Sequence, residues 1–199
     1  MRAMPQFKDS IAAGGFVVPS SSARAGEPIE LVAWDPRWLD QFNRMRHKLA
    51  GALGPTAVRI EHVGSTSIPG IPAKPVVDIQ VSVHDIDDDD AFRAPIEEQG
   101  FELRFIEPGH RYFRPPPGTP RDYQVHVCQV GSDWERVHLL FRDYLRTHPD
   151  VAAEYGRMKL RLAQQHKAER IAYNDDKGPF IDAVVLVAEE WARQTGWQP

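Results

Sequence analysis

Apolar positions along the chain change period several times, and each change marks an element. Trp38, Phe42, Met45 and Leu49 fall on one helical face. Asp35-Pro36 opens that segment and Gly54-Pro55 closes it, so a helix over Arg37–Leu53 is predicted behind a short strand at residues 29–34. Ala57–Val63 alternates, and residues 75–83 alternate more strongly, with Val77, Ile79, Val81 and Val83 on one side and Asp78, Gln80 and Ser82 on the other. A polar loop leads to a helix ending near Gly100, followed by strands at residues 101–106, 111–114 and 122–130, with a Pro-Gly turn at residues 115–120. The last third carries helical stripes. These are Trp134, Val137, Phe141 and Tyr144; then Val151, Tyr155, Met158 and Leu162; then Phe180, Val184, Val187 and Trp191 behind a start at Gly178-Pro179. This order predicts an α+β fold, a mixed β-sheet flanked by helices with a C-terminal helical segment and no internal repeat.

Residues 1–28 have no sustained period and hold Pro5, Gly14, Gly15, Pro19, the Ser20-Ser21-Ser22 run, Gly26 and Pro28. They are read as a poorly ordered N-terminal extension, with one domain over residues 29–199. The apolar run at residues 11–18 is flanked by Lys8 and Asp9 and broken by two glycines, so it reads as a leader and not as a signal peptide. No stretch approaches the roughly 20 apolar residues of a membrane span. The apolar fraction of 42% and charged fraction of 26% are those of a globular protein. A net charge of −4 provides no broad basic surface for nucleic acid, although 24 Lys and Arg leave room for a local basic pocket. Cys128 is the single cysteine, which excludes an intrachain disulfide and a multi-thiolate zinc site and points to a reducing cytoplasm. The acidic run at residues 87–90 stands at a helix start, where carboxylates are favoured by the helix dipole, and is read as a solvated face.

The stretch from Glu61 to Val83 holds the chemistry. Gly64 lets backbone approach a ligand closely, and amides after it, with the Ser65 or Thr66 hydroxyls, suit phosphate oxygens. Lys74 adds positive charge, and Asp78 on the next strand is placed for a divalent ion bound to the same phosphates. A turn-rich loop beside an ordinary strand aspartate would explain a Gly-Ser pair alone. No Walker-type loop and no Ser-His-Asp order is present.

The longer pattern E-H-V-G-S-T-S-I-P-G-I-P-A-K-P-V-V-D-I, from Glu61 to Ile79, resembles the GrpB family. The resemblance continues through Trp34-Asp35-Pro36-Arg37-Trp38, Arg111-Tyr112-Phe113-Arg114, Val125-His126-Val127, Phe141-Arg142-Asp143-Tyr144-Leu145-Arg146 and Tyr173 to Phe180, leaving only the leader outside. It implies a nucleotidyltransferase-like fold, in which a Gly-Ser turn holds a nucleoside triphosphate and acidic residues on two strands hold two Mg²⁺ ions. Gly64 and Ser65 match the turn and Asp78 the first acid. Gln80 stands where the second acid belongs, and His126 best matches the third position. Two-metal transfer needs enough negative charge to hold two dications ~4 Å apart, so a neutral Gln80 weakens the second ion.

The resemblance also implies a nucleotide or phosphorylated small molecule as ligand and a divalent metal, Mg²⁺ or Mn²⁺, as cofactor. A single transition metal on His62, Asp78 and His126, with Gln80 nearby, is the metallohydrolase alternative. His126 also suits proton transfer. Arg111 is expected to reach the pocket as a phosphate clamp, and Tyr173 and Lys177 to close over it, so that Lys74, Arg111 and Lys177 make it locally positive. Cys128 reads as an inert buried thiol. Three readings stand at this point: a metal-dependent nucleotidyltransferase, a ligand-binding module that kept the fold without the chemistry, and the mononuclear metallohydrolase.

Overall fold

The computed structural model describes residues 28–199 and the two-residue strand β1 (Phe16–Val17). The rest of the expected extension lies outside the described residues. In chain order follow α1 (Arg37–Leu53), β2 (Ala57–Val63), β3 (Val77–Val83), α2 (Arg93–Glu97), β4 (Glu102–Glu107), β5 (His110–Arg114), β6 (Tyr123–Gln129), α3 (Asp133–Thr147), α4 (Pro149–His166) and α5 (Arg170–Thr195). The six-stranded sheet runs β1-β4-β5-β6-β3-β2, with β3 and β6 parallel and every other pair antiparallel. A mixed α+β sheet with a helical C-terminal segment is therefore observed.

Alternation decides what each face of the sheet meets. Val77, Ile79, Val81, Phe113, Val125 and Val127 are buried in one core with Trp38, Phe42, Met45 and Leu49 of α1 and with α2. The Asp35 carboxylate accepts the Arg37 amide at 2.9 Å and so starts α1. The opposite face carries Asp78, Gln80, Ser82 and their neighbours and turns toward α3, α4 and α5. Those helices form a second core that also takes Ile68 and Ile71 from the loop between β2 and β3. α3 is fixed to the sheet at its start. Ser132 Oγ accepts the Glu135 amide at 3.2 Å, while the buried Glu135 carboxylate accepts from the Gly131 amide at 2.7 Å and from Ser82 Oγ at 2.5 Å.

Three expectations change. Residues 29–34 form no strand: Val32 pairs with Ala73 in an isolated bridge, and the Ile29 amide donates to the Lys167 carbonyl at 2.7 Å. The final helix begins at Arg170 and runs through Pro179, because packing of the buried Tyr173 outweighs the lost N–H of one proline. That longer helix rotates the buried stripe onto Val184, Val185, Ala188 and Ala192 and leaves Val187 55% exposed.

α4 approaches the loop closely at Gly156, where a Cβ would meet the Pro72 ring at 2.9 Å. In an ordinary helix interior, Gly→Ala stabilises by about 1 kcal/mol. Here Gly156→Ala is expected to destabilise by roughly 1–3 kcal/mol through overpacking against a rigid ring. Urea unfolding checks the sign.

Candidate functional site

The site begins at the end of β2. Val63 is paired with Asp78 on β3, and the next residue, Gly64, has φ 68 and ψ −175. That backbone region is essentially reserved for glycine. A Cβ on Gly64 would also lie 2.2 Å from Asp78 Oδ2, so the missing side chain is what lets the carboxylate stand against the turn. A single 3-10 turn, Ser65–Ser67, follows, and Ser67 Oγ donates to the Gly64 carbonyl at 2.6 Å. The turn is tied from outside. Trp34 Nε1 donates to the Thr66 carbonyl at 3.0 Å, and Arg146 Nε to the Ser67 carbonyl at 2.9 Å.

Helices close the other side of the cleft. Tyr155 of α4 hydrogen-bonds Ser65, and burial pushes its hydroxyl up to about 12. Lys159, one turn further on α4, donates to the Pro72 carbonyl at 2.5 Å and lies 4.6 Å over the Tyr155 ring. Tyr173 and Lys177 share a face of α5 because they are one turn apart. Lys74 Nζ lies 4.5 Å and Lys177 Nζ 4.7 Å from the centre of the Tyr173 ring. Burial, then repulsion from Lys177 and Arg170, lowers Lys74 to about 7. Burial, then repulsion from Lys177 and Lys74, lowers Lys159 to about 7. Burial lowers Lys177 to about 8, against the attraction of Asp78.

On the sheet side, Gln80 and His126 are paired across β3 and β6, as are Asp78 and Gln124. His126 Nε2 stands 3.8 Å from Asp78 Oδ1, beyond direct hydrogen-bonding range. Behind it, His126 Nδ1 is 3.0 Å from His110 Nε2, and His110 Nδ1 is 2.6 Å from Glu107 Oε1. Burial pushes His110 down to about 4, so it is neutral at pH 7. With the Glu107 carboxylate accepting the His110 Nδ1 proton, His110 Nε2 accepts in turn and His126 Nδ1 donates. The network thus assigns the lone pair of His126 to Nε2, on the Asp78 side. Trp134 of α3 stacks on His110 at 4.4 Å and on His138 at 3.6 Å between ring centres, holding this array in place.

Several expected residues fall elsewhere. His62 alternates onto the α1 side, stacked 4.9 Å from Phe42, and its Nε2 donates to Thr66 Oγ1 at 3.0 Å. Burial lowers it to about 4. The Thr66 hydroxyl is engaged by His62 and by the Val76 carbonyl, which it reaches at 3.1 Å, so it acts in the loop and not on a ligand. Arg111 shares the Phe113 face, and its guanidinium binds Asp89 at 2.8 Å and Asp87 at 3.3 Å. The acidic run is thus partnered from within, and Arg111 does not reach the cleft. Gln80 is fully buried with both amide atoms unpartnered. Cys128 is buried and its thiol pushed up to about 12 by burial, so it is unreactive.

Lys159, Tyr155, His110 and Glu107 escaped the sequence reading. A lysine one turn after Tyr155 on an apolar helix stripe was the available signal for the first two. Nothing local marks His110, whose partner comes from a strand pairing.

The family model for GrpB protein matches residues 28–186. The chain belongs to the GrpB family. A UPF0157 protein of Streptomyces coelicolor is 41% identical over 156 residues, 78% of this chain and 82% of the relative. The crystal structure of GrpB from Enterococcus faecalis superposes with a TM-score of 0.72 at 33% identity, over 81% of this GrpB-family chain and 99% of that one. The MgGTP-bound Cid1 poly(U) polymerase aligns more remotely, with a TM-score of 0.46 and 15% identity over 66% of this chain and 43% of the polymerase.

Among the described residues no three His, Cys, Asp or Glu side chains are grouped as a metal site. The set His62, Asp78 and His126 is not assembled, since His62 lies across the sheet. One carboxylate beside a cationic cleft instead suits a Mg²⁺ or Mn²⁺ ion that shares its coordination with ligand phosphates.

Histidine ¹⁵N spectra test the tautomer assignment. The wild type should show His126 protonated at Nδ1. His110→Phe, which keeps a ring against Trp134 but removes the acceptor, should shift the proton to Nε2. A wild-type His126 protonated at Nε2 contradicts the network.

Proposed function

We propose that the cleft binds the phosphates of a nucleotide or another phosphorylated small molecule. The observation that carries this is the convergence of three lysines from a loop and two helices: Lys74 and Lys177 flank Tyr173 and attract Asp78, while Lys159 lies over Tyr155, which bonds Ser65. Three buried ammonium groups, lowered to about 7 or 8, are costly to hold together without an anion. Ser65 and the backbone after Gly64 add neutral donors.

A divalent ion on Asp78 would neutralise phosphate charge and orient the leaving group. In the enzymatic version an acceptor hydroxyl gives its proton to His126 Nε2 as its oxygen bonds to phosphorus. The bond to the departing phosphate breaks in line, and the lysines compensate the charge left on the leaving oxygen. The buried, neutral Gln80 favours a second version, a ligand-binding module without transfer chemistry. The unpaired Cys128 and the composition support a cytoplasmic protein. No helix among the described residues is long and apolar enough to cross a membrane.

Thermal shift with ATP, GTP, CTP and UTP, with and without Mg²⁺ or Mn²⁺, separates the versions. At a hundredfold excess over Kd a ligand adds about 2.7 kcal/mol, a rise of several degrees at about 2–4 °C per kcal/mol. Stabilisation that requires metal and is lost in Asp78→Asn supports the enzyme. Stabilisation indifferent to metal and retained in Asp78→Asn leaves only the binding module.

A second prediction follows from the lysines. An anion raises their lowered pKa values, so binding takes up protons between about pH 7 and 8 and weakens as pH rises through that range. Calorimetry in buffers of different ionisation enthalpy should report uptake. Proton release, or affinity that is flat from pH 6.5 to 9, contradicts the assignment.

A further inference from the structure

The same open face of the sheet carries a second group of cations, on β4, β5 and the loop before β6, away from the lysines. Glu102 and Arg114 are paired across β4 and β5, and the register slips between Leu103 and Phe105, placing Arg104 at a bulge two residues along from Glu102. Arg104 is 7% exposed and donates to Glu102 at 3.2 Å. Arg121 donates to the Tyr112 hydroxyl at 3.1 Å, on the strand pair that holds His126. Arg114 and Arg121 line a cleft with the Pro115-Pro116-Pro117-Gly118-Thr119 loop between them. Within that loop the Thr119 hydroxyl donates to the Pro116 carbonyl at 2.7 Å.

The charges are unbalanced. No hydrogen bond joins the Arg114 guanidinium to a described residue, and the carboxylate set against it, Glu102, already serves Arg104. Burial and then Arg121 and Arg104 push Arg114 below its ordinary pKa. A guanidinium with its planar fork free, between two others, matches a phosphate group. Arg121 links the group to the His126 side of the cleft through Tyr112, whose ring centre lies 5.1 Å from that of His126.

We propose that Arg104, Arg114 and Arg121 form a second anion subsite, which takes a phosphate group of the acceptor molecule that lies beside the nucleotide. This rests on the reading of the lysine cleft as a phosphate site. The subsite fits a terminal phosphate of a small molecule. A nucleic-acid backbone would need cations continued along a track, whereas Arg111, the next arginine on β5, is turned to the other face and bound to Asp87 and Asp89.

The test titrates ribose 5-phosphate into the full-length protein and follows the arginine Nε–Hε signals by NMR, assigned with Arg114→Gln and Arg121→Gln. The Arg114 and Arg121 signals should move in the wild type and equally in Lys177→Gln, which disables the other cleft. Arg114→Gln should weaken ribose 5-phosphate binding about tenfold, and Arg114→Lys should recover only part, because a point charge replaces a fork. Unchanged melting curves of both variants exclude misfolding as the cause. Arginine signals that stay still, or that respond in the wild type but not in Lys177→Gln, overturn a separate subsite. Tighter binding of a single-stranded RNA oligonucleotide, with a salt dependence of many released counterions, overturns the small-molecule assignment. Arginine signals that move while no nucleotide stabilises the protein would retain this subsite and remove the lysine-cleft reading.

Discussion

The cleft exists because Gly64 has no side chain. A methyl group there would occupy the place of the Asp78 carboxylate, and the backbone at Gly64 lies in a region that other residues avoid. With both restrictions met at one position, β2 can end, turn and leave its carboxylate neighbour against the turn instead of pushed into solvent. The same loop then anchors the helical layer. Ile68 and Ile71 enter the core of α3, α4 and α5, and Pro72 meets α4 at Gly156. Sheet and helices are thus held apart by a loop bound to both, and the gap between them is where Lys74 and Lys177 face Asp78.

Much of this was legible in the sequence, for reasons that differ by residue. The β3 alternation placed Asp78 away from the core because a buried strand face tolerates only Val77, Ile79, Val81 and Val83. Tyr173 and Lys177 were found, although their helix starts well before the expected Gly178-Pro179 boundary; a proline signal was overridden by packing. His62 and Arg111 do not reach the cleft, because both lie on the sheet face turned to α1 and α2, opposite Asp78. Arg111 also found its partners in an acidic loop distant in sequence, which no local pattern announces. His110 and Glu107 were invisible because the relay depends on β5 lying beside β6, a fact of tertiary pairing alone.

The charge inventory of the cleft differs from that of a two-metal centre. There, several carboxylates create a negative site that metal ions fill, and the ions then face the phosphates. Here one carboxylate faces Lys74 and Lys177, a buried amide stands beside it on β3, and the imidazole of His126 lies across on β6. A cleft of this kind meets phosphate charge with ammonium groups directly. In the proposed phosphate reading, the lysines take over work that a second dication would do, and one ion on Asp78 would complete it. Gln80 fits the same logic. A carboxylate buried there would need a cation at all times, while an amide can remain unpartnered at a cost of about 1–3 kcal/mol. An amide at this position spares one obligatory charge, and in the proposed reading it would leave recognition of a phosphorylated ligand to the protein's own cations.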